Sequence, residues 1–338
     1  MYHTTKPLPL GIIRFGRVYC PPLPSLSWVG MVLCSVCGVR EAVYFRPYSG
    51  ERLCGECFCE SIVERVRRTI SRYEMFEYDS RIAVGVSGGK DSLSLLQILA
   101  EIEEGFPKAE LIAVTVDEGI RGYRDEAVRL AEEACRELGV EHRLLSFKEL
   151  FGYTLDEIAE RTKGGPLTPC SFCGVLRRRA LNQAAREVGA DRLATAHNLD
   201  DMAQTVLLNI LRGDHRRLAL LDPAGMSISE RFVRRVKPYC EVPERESTLY
   251  AYLKDIRFQS RPCPYAETAM RNDIRNFLNR IEVKRPGTKF TILRSIQRIL
   301  PLLKRETGLL GLCPLCGEPT TGEICRTCQM LQELERMR

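Results

Sequence analysis

The stretch Arg81-Ile-Ala-Val-Gly-Val-Ser87-Gly88-Gly89-Lys90-Asp91-Ser92-Leu93-Ser-Leu-Leu-Gln-Ile-Leu-Ala100 decides the fold. Its apolar run predicts a strand, its adjacent glycines a tight turn, and the leucine-rich segment after Lys90 a helix. Glycine lets the backbone curl its N–H groups around an anion, the helix N-terminus adds the positive end of its dipole, and Lys90 adds a full charge. Strand, glycine turn, lysine and helix in that order predict a phosphate-binding loop. The spacing excludes the Walker A pattern, whose two glycines are not adjacent.

Working outward, strand patterns at Ile82–Val86, Leu111–Val116, Arg143–Ser146 and Arg192–Thr195 alternate with helical patterns at Leu93–Glu103, Arg124–Leu138, Leu176–Val188 and Asp201–Leu211. That alternation predicts an α/β fold, a doubly wound parallel sheet with ligands at the carboxyl ends of its strands. One strand ends in Asp117-Glu118-Gly119 and a later one in Ala196-His197-Asn198-Leu199-Asp200-Asp201. Backbone near Val116 and Ala196 is then placed to pair with an adenine edge, and Asp91, Asp200 or Asp201 to hold magnesium on the phosphates. A helix N-cap competes for Asp200.

A chain of 338 residues with 44% apolar content can bury one sizeable core and carry small modules. The formal charge of +6, from 50 Lys and Arg against 44 Asp and Glu, permits an anionic partner without requiring one. Three basic clusters are more telling: Arg177-Arg178-Arg179, Arg212 with Arg216-Arg217, and Arg231 with Arg234-Arg235 and Lys237. A solvated face explains most such runs; a nucleic-acid surface is the alternative. No apolar stretch approaches the roughly twenty residues of a membrane span, and no secretory start is present. A soluble, cytoplasmic protein is expected. Residues 1–30, proline-rich and without period, read as a disordered extension or a mis-assigned start. The remainder divides into a cysteine module over 31–60, a linking helix over 61–78, the nucleotide domain over 79–240, a mainly helical part over 241–310 and a second cysteine module over 311–338.

Fifteen cysteines in a nucleotide enzyme of a reducing compartment point to metal rather than disulfides. Cys34 and Cys37 precede Cys54 and Cys57 by sixteen residues, and Cys313 and Cys316 precede Cys325 and Cys328 by eight. Both sets fit closed tetrahedral zinc sites, which are structural. Cys20, Cys59 and Cys135 have no partner in sequence. Cys170 and Cys173 form a third C-x2-C pair without a second pair, and Cys240 or Cys263 can complete it. Three thiolates leave one coordination position open, as a reactive iron–sulfur cluster or a sulfur-transferring thiol pair needs. A zinc site finished by histidine is weakened by the presence of only four histidines. Arg177, Arg178 and Arg179 should favour thiolate at the adjoining pair.

The loop Ser87-Gly-Gly-Lys-Asp-Ser92 resembles the signature of N-type ATP pyrophosphatases, the PP-loop proteins with an adenine nucleotide alpha hydrolase-like domain. Asp117-Glu-Gly-Ile-Arg-Gly-Tyr-Arg-Asp125, Cys170-Ser-Phe-Cys-Gly-Val-Leu-Arg-Arg178, His197-Asn-Leu-Asp-Asp201 and Asn209-Ile-Leu-Arg-Gly-Asp214 resemble the cytoplasmic tRNA 2-thiolation proteins, which modify the wobble uridine. The resemblance runs from Cys34 to Cys328 and extends to the TtuA proteins, which thiolate a T-loop uridine. It implies ATP and magnesium as cofactors, with Ser87, Gly88, Gly89, Lys90, Asp91, Ser92, Val116, Arg177, Ala196 and Asp201 contacting ATP. It also implies two zinc ions, a 4Fe-4S cluster on Cys170, Cys173 and Cys263, and catalytic roles for Cys170, Cys263 and Lys90. The implied partners are tRNA, a ubiquitin-like sulfur carrier and a second copy or a paralogue in a dimer. Two positions depart from the pattern: Ala196 stands for glycine, and Arg177 for the lysine of TtuA proteins, which keeps charge but not geometry. A tRNA lysidine synthetase, a GMP-synthetase-like amidotransferase and a non-catalytic tRNA-binding scaffold are the rival readings. The first has no use for three open cysteines, the second usually has another residue at Lys90, and the third has no need of an intact ATP loop.

Overall fold

A computed structural model describes residues 32–337, apart from 166, 226–228, 230, 266–269 and 304–310. The segment 1–30, with Cys20, lies outside the described residues. The chain opens with an antiparallel hairpin, β1 (Tyr44–Arg46) and β2 (Glu51–Leu53), followed by α1 (Gly55–Arg72). This helix starts inside the first cysteine module, ahead of the expected Ser61, because Cys54 is its extended N-cap and Glu56 complements its dipole. Phe58, Ile62, Val66 and Thr69 follow helical spacing and form its buried stripe.

The central domain runs β3 (Arg81–Gly85), α2 (Lys90–Glu103), β4 (Glu110–Asp117), α3 (Arg124–Leu138), β5 (Glu141–Ser146), α4 (Phe147–Phe151), α5 (Leu155–Arg161), α6 (Pro169–Glu187), β6 (Arg192–Thr195), α7 (Leu199–Leu211), α8 (His215–Ala219) and β7 (Arg234–Val236). Its five strands are all parallel in the order β5-β4-β3-β6-β7. Strand order reverses at β3, so the crevice between β3 and β6 opens at their carboxyl ends, where the phosphate loop lies. Ala83, Val84, Ala113, Val114, Leu193 and Ala194 are fully buried, as expected for strands covered on both faces. Two elements differ from expectation. β7 falls on residues that read as a basic cluster, since only Val236 of its three is buried. α6 begins at Pro169 rather than Leu176, because the Thr168 side chain caps it and proline suits its first turn. Cys170 and Cys173 therefore sit on a helix start.

Beyond the sheet, α9 (Glu244–Leu253) packs on α1 and α2, while α10 (Met270–Lys284) and α11 (Thr288–Ile299) pack on α7. The chain closes with a short hairpin, β8 (Gly311–Leu312) and β9 (Pro319–Thr320), and α12 (Arg326–Arg336), which docks on α6. Met330 and Leu334 of α12 join Phe172, Cys173 and Leu176 in one apolar cluster. The Glu318 carboxylate pairs with Arg179 and, at 2.7 Å, with Arg186 of α6. No described helix is long and apolar enough to cross a membrane.

Candidate active site and metal centres

The phosphate loop is built by its own side chains. Ser87 N donates to Ser92 Oγ at 3.0 Å, and Ser92 Oγ donates to Gly89 O at 2.9 Å, tying loop to helix. Gly88 has φ +79°, and a Cβ there would lie 2.3 Å from the Ala127 carbonyl oxygen, so the close approach of α3 requires glycine. Gly89 is the N-cap of α2 and no side chain caps that end, which leaves its first N–H groups for an anion. Lys90 reaches Asp91 at 2.8 Å and Glu244 at 3.5 Å; burial opposes its charge, but these carboxylates hold its pKa above the ordinary value. Asp91 in turn accepts from Ser247 Oγ at 2.6 Å.

The facing rim comes from β6 and α7. Asp201 completes a capping box with Asn198. Enclosure by the cleft, and then Asp91 opposite, push its carboxyl up to about 6, against the pull of Arg271. Two carboxylates facing each other across the cleft suit a divalent cation. Asp200 takes no part: it is buried, pairs with Lys289, and accepts from Glu244 N at 2.8 Å. Its role is structural, neither magnesium ligand nor N-cap, and Asn198 is the cap. His197 hydrogen-bonds Thr195 Oγ1 at 3.0 Å. The residue is exposed at the cleft, yet the surrounding walls, and then Lys237, Arg235, Arg271 and Arg178, push its pKa down to about 3. Val116 is buried at the end of β4, and its carbonyl accepts from Arg124 Nη2 at 2.7 Å, leaving one lone pair. Ala196 follows β6 and is half-buried.

The third C-x2-C pair meets Cys263 beside this crevice. Cys170 is exposed, Cys173 buried and Cys263 intermediate. Cys170 Sγ donates to the Tyr265 carbonyl at 2.7 Å, which draws the segment carrying Cys263 against α6, and Cys173, Cys263 and Tyr265 share one apolar cluster. Arg177 Nη2 donates to Cys173 Sγ at 3.1 Å, while its Nε pairs with Glu118 at 2.7 Å. Burial nevertheless pushes the Cys173 thiol up to about 11, outweighing Arg177, so the thiolate expected from the three arginines is not reached there. Arg179 is turned to Glu318 and the C-terminal cysteines and Arg178 towards Arg217, so of the three only Arg177 faces this cysteine set. Cys240 is fully buried among Leu199, Met202 and Val206, away from this set.

Each tetracysteine group closes on itself. Cys34, Cys37, Cys54 and Cys57 hold their sulfurs within 4.8 Å of one another, and so do Cys313, Cys316, Cys325 and Cys328. The two first turns are alike: Gly38 N donates to Cys34 O and Gly317 N to Cys313 O, both at 2.8 Å, with φ near +70° at each glycine. Backbone N–H groups, led by that of Cys325, bring Cys313 down to about 6, which prepares it as a thiolate ligand. Among the described residues no other group of three or more ligands is this tight, so Cys170, Cys173 and Cys263 do not close on a single ion. A cluster, which offers a separate iron to each thiolate, is the group that so spread a set fits.

Comparisons with known proteins agree with this arrangement. The family model described as a PP-loop domain matches residues 60–282, and that of the 2-thiouridine synthetase TtuA N-terminal LIM domain matches 33–59. The tRNA 2-thiolation protein NcsA of Haloferax volcanii is 38% identical over 89% of this chain and 99% of its own. The chain belongs to the tRNA 2-thiolation protein family. Within that family, the cytoplasmic tRNA 2-thiolation protein 1 of Chlamydomonas reinhardtii is 37% identical over 90% of this chain and 85% of its own. The solved U34-tRNA thiolase NcsA from Methanococcus maripaludis, determined with its 4Fe-4S cluster, superposes with a TM-score of 0.80 at 36% identity, covering 91% of this chain and 97% of that one. This tRNA 2-thiolation protein is thus a sulfurtransferase of the PP-loop ATP pyrophosphatase type. Glu118, Arg124, Glu244 and Ser247, which no motif singled out for a role, all touch its site; Glu118 and Arg124 lie within the quoted Asp117–Asp125 run, and Glu244 and Ser247 act through contacts distant in sequence.

Proposed function

We propose that this tRNA 2-thiolation protein acts on the wobble uridine, in the cytoplasm, by adenylating C2 and replacing its oxygen with sulfur. The observation that carries the reading is the continuity of the Ser87–Ser92 loop with the three-cysteine site at the same edge of the sheet. The α2 N-terminus and Lys90 would hold the leaving pyrophosphate, with Asp91 and Asp201 on magnesium, and Val116 and Ala196 against adenine. The uridine O2 attacks the α-phosphorus, an O–P bond forms, and the α–β bridge breaks to release pyrophosphate. Catalysis of that step is positioning and charge neutralisation. Sulfide, released when water hydrolyses the thiocarboxylate of a ubiquitin-like carrier to its carboxylate, then attacks C2, and AMP departs with the original oxygen.

Cys170, Cys173 and Cys263 would hold the 4Fe-4S cluster, whose fourth iron, when it is bound, offers a place to present sulfide. The exposed Cys170 faces the approaching carrier, the buried Cys173 excludes water, and Arg177 donates to Cys173 sulfur. The zinc modules and the basic side chains of the cleft, Arg178, Arg235 and Lys237, would grip tRNA phosphates, which position without specifying. Nucleoside analysis of tRNA from a deletion strain tests the assignment. Loss of wobble 2-thiouridine is expected; loss of the T-loop thionucleoside instead, or of neither, overturns it.

A further inference from the structure

We infer that Glu118 is a positioning residue that couples the phosphate loop to the cysteine site, an inference that rests on the thiolase reading above. Glu118 is 2% exposed and stands just past β4, at the carboxyl edge of the sheet. One of its oxygens lies 2.6 Å from Arg124 Nε, and the other 2.7 Å from Arg177 Nε. Arg124, itself 5% exposed, spends its remaining nitrogens on the loop side: Nη1 donates to the Ser87 carbonyl at 2.9 Å and Nη2 to that of Val116 at 2.7 Å. On the other side, Arg177 Nη2 donates to Cys173 Sγ at 3.1 Å. An unbroken series of contacts therefore runs from the first residue of the phosphate loop, through two guanidinium groups and one carboxylate, to a sulfur.

The backbone around Glu118 is pinned as well. Leu155 N donates to the Glu118 carbonyl at 2.7 Å, and Gly119, at φ +68°, lies so near Thr154 that a Cβ would come within 2.7 Å of its side chain. Planar forks held at two or three nitrogens turn as rigid bodies. The Arg124–Glu118 contact is an ion pair without hydrogen-bond alignment, so charge links the two forks: a displacement of the Ser87 carbonyl when phosphate fills the loop shifts Arg124, and through Glu118 the fork of Arg177 that faces Cys173. The coupling makes the setting of the Cys173 sulfur depend on whether the loop is occupied.

The test follows alkylation of Cys173 by iodoacetamide, resolved by fragment mass spectrometry, in the full-length, zinc-loaded chain with and without α,β-methylene ATP. That analogue cannot be cleaved at the reacting bridge. In wild type the analogue should change the Cys173 rate by about fivefold, the lower range for coupled sites. In Glu118→Gln and in Arg177→Gln that change should vanish at analogue concentrations that calorimetry shows to saturate each variant, so that any weakening of ATP contact by Arg177→Gln is compensated. No change in wild type, or the wild-type change retained in Arg177→Gln, overturns the inference. Should Glu118→Gln fail to fold, Arg177→Gln decides alone, since its side chain is 48% exposed. After reconstitution with iron and sulfide and reduction by dithionite, the electron paramagnetic resonance spectrum should respond to the analogue in wild type only. Failure of wild type to assemble a cluster sinks the cluster reading, whereas the alkylation result still decides the role of Glu118.

Discussion

Replacing Glu246 by glutamine should both loosen the N-terminal module and weaken ATP binding. Glu246 lies on α9 with no exposed side-chain surface, and its oxygens take Arg46 Nε at 3.2 Å and Nη2 at 3.1 Å, Arg65 Nη1 at 3.3 Å and the Tyr48 hydroxyl. Arg46 is the last residue of β1, and its side chain is 4% exposed. Glutamine keeps the volume and removes the charge, leaving Arg46 with Glu51, which is 40% exposed and 3.0 Å away. Breaking a buried pair in this way costs about 3–5 kcal/mol, because the surviving charge stays desolvated. For a domain of this size that is a fall in Tm of roughly 6–20 °C. The same helix sets Glu244 beside Lys90 and Ser247 on Asp91, so a displaced α9 should also lower affinity for α,β-methylene ATP. Urea denaturation of the zinc-loaded protein and calorimetry measure the two effects. Glu51→Gln is the control: it removes the partly exposed partner of the same arginine, which keeps Glu246, and should cost about 1 kcal/mol or less. Equal stability of the two variants refutes the buried-charge argument; a destabilised Glu246→Gln with unchanged analogue affinity refutes the link through α9.

Cys170→Ala and Cys263→Ala should each abolish 2-thiouridine formation by the purified enzyme while leaving analogue binding intact; normal thiolation in either refutes their assignment. Gly88→Ala should cut ATP affinity by more than about tenfold, since a left-handed alanine costs about 1–2 kcal/mol before its contact with Ala127 is counted. Asp201 has a carboxyl pushed up to about 6 by enclosure and by Asp91, with Glu244 and Arg271 also facing it, so its ionised form destabilises the fold. Its folded pKa exceeds the unfolded one, and stability is therefore lost as pH rises from about 4 to about 6. Asp201→Asn should accordingly raise stability by about 1–2 kcal/mol at pH 8, less at pH 5, in denaturation curves, and lose activity at both.

The phosphate loop, the alternation of strands with helices and both tetracysteine groups were legible because each is local: glycine, charge and cysteine spacing carry their meaning within a few residues. β7 was not, since Arg234-Arg235-Val236 has one buried residue, and a three-residue edge strand leaves no period to read. The true start of α6 had its signals in Thr168 and Pro169, but Pro169, Ser171 and Gly174, all weak helix formers, masked its first turns. Asp200 shows the harder limit. Its position at a helix start suits a cap or a ligand equally, and what decides is Lys289, 89 residues away. Glu118 likewise stood in a quoted run without a role, because Arg124 and Arg177 converge on it only once the sheet is formed.

The docking of α12 and Glu318 onto α6 means that the two ends of the polypeptide's metal chemistry share one rod. A chain shortened before Cys313 would strip Met330 and Leu334 from the cluster that shelters Cys173 and leave Arg179 and Arg186 without their common counter-charge. The C-terminal cysteine module is therefore packed into the wall beside Cys173 and is more than a handle for RNA, so chelating a metal held there should cost sulfur transfer as well as tRNA binding.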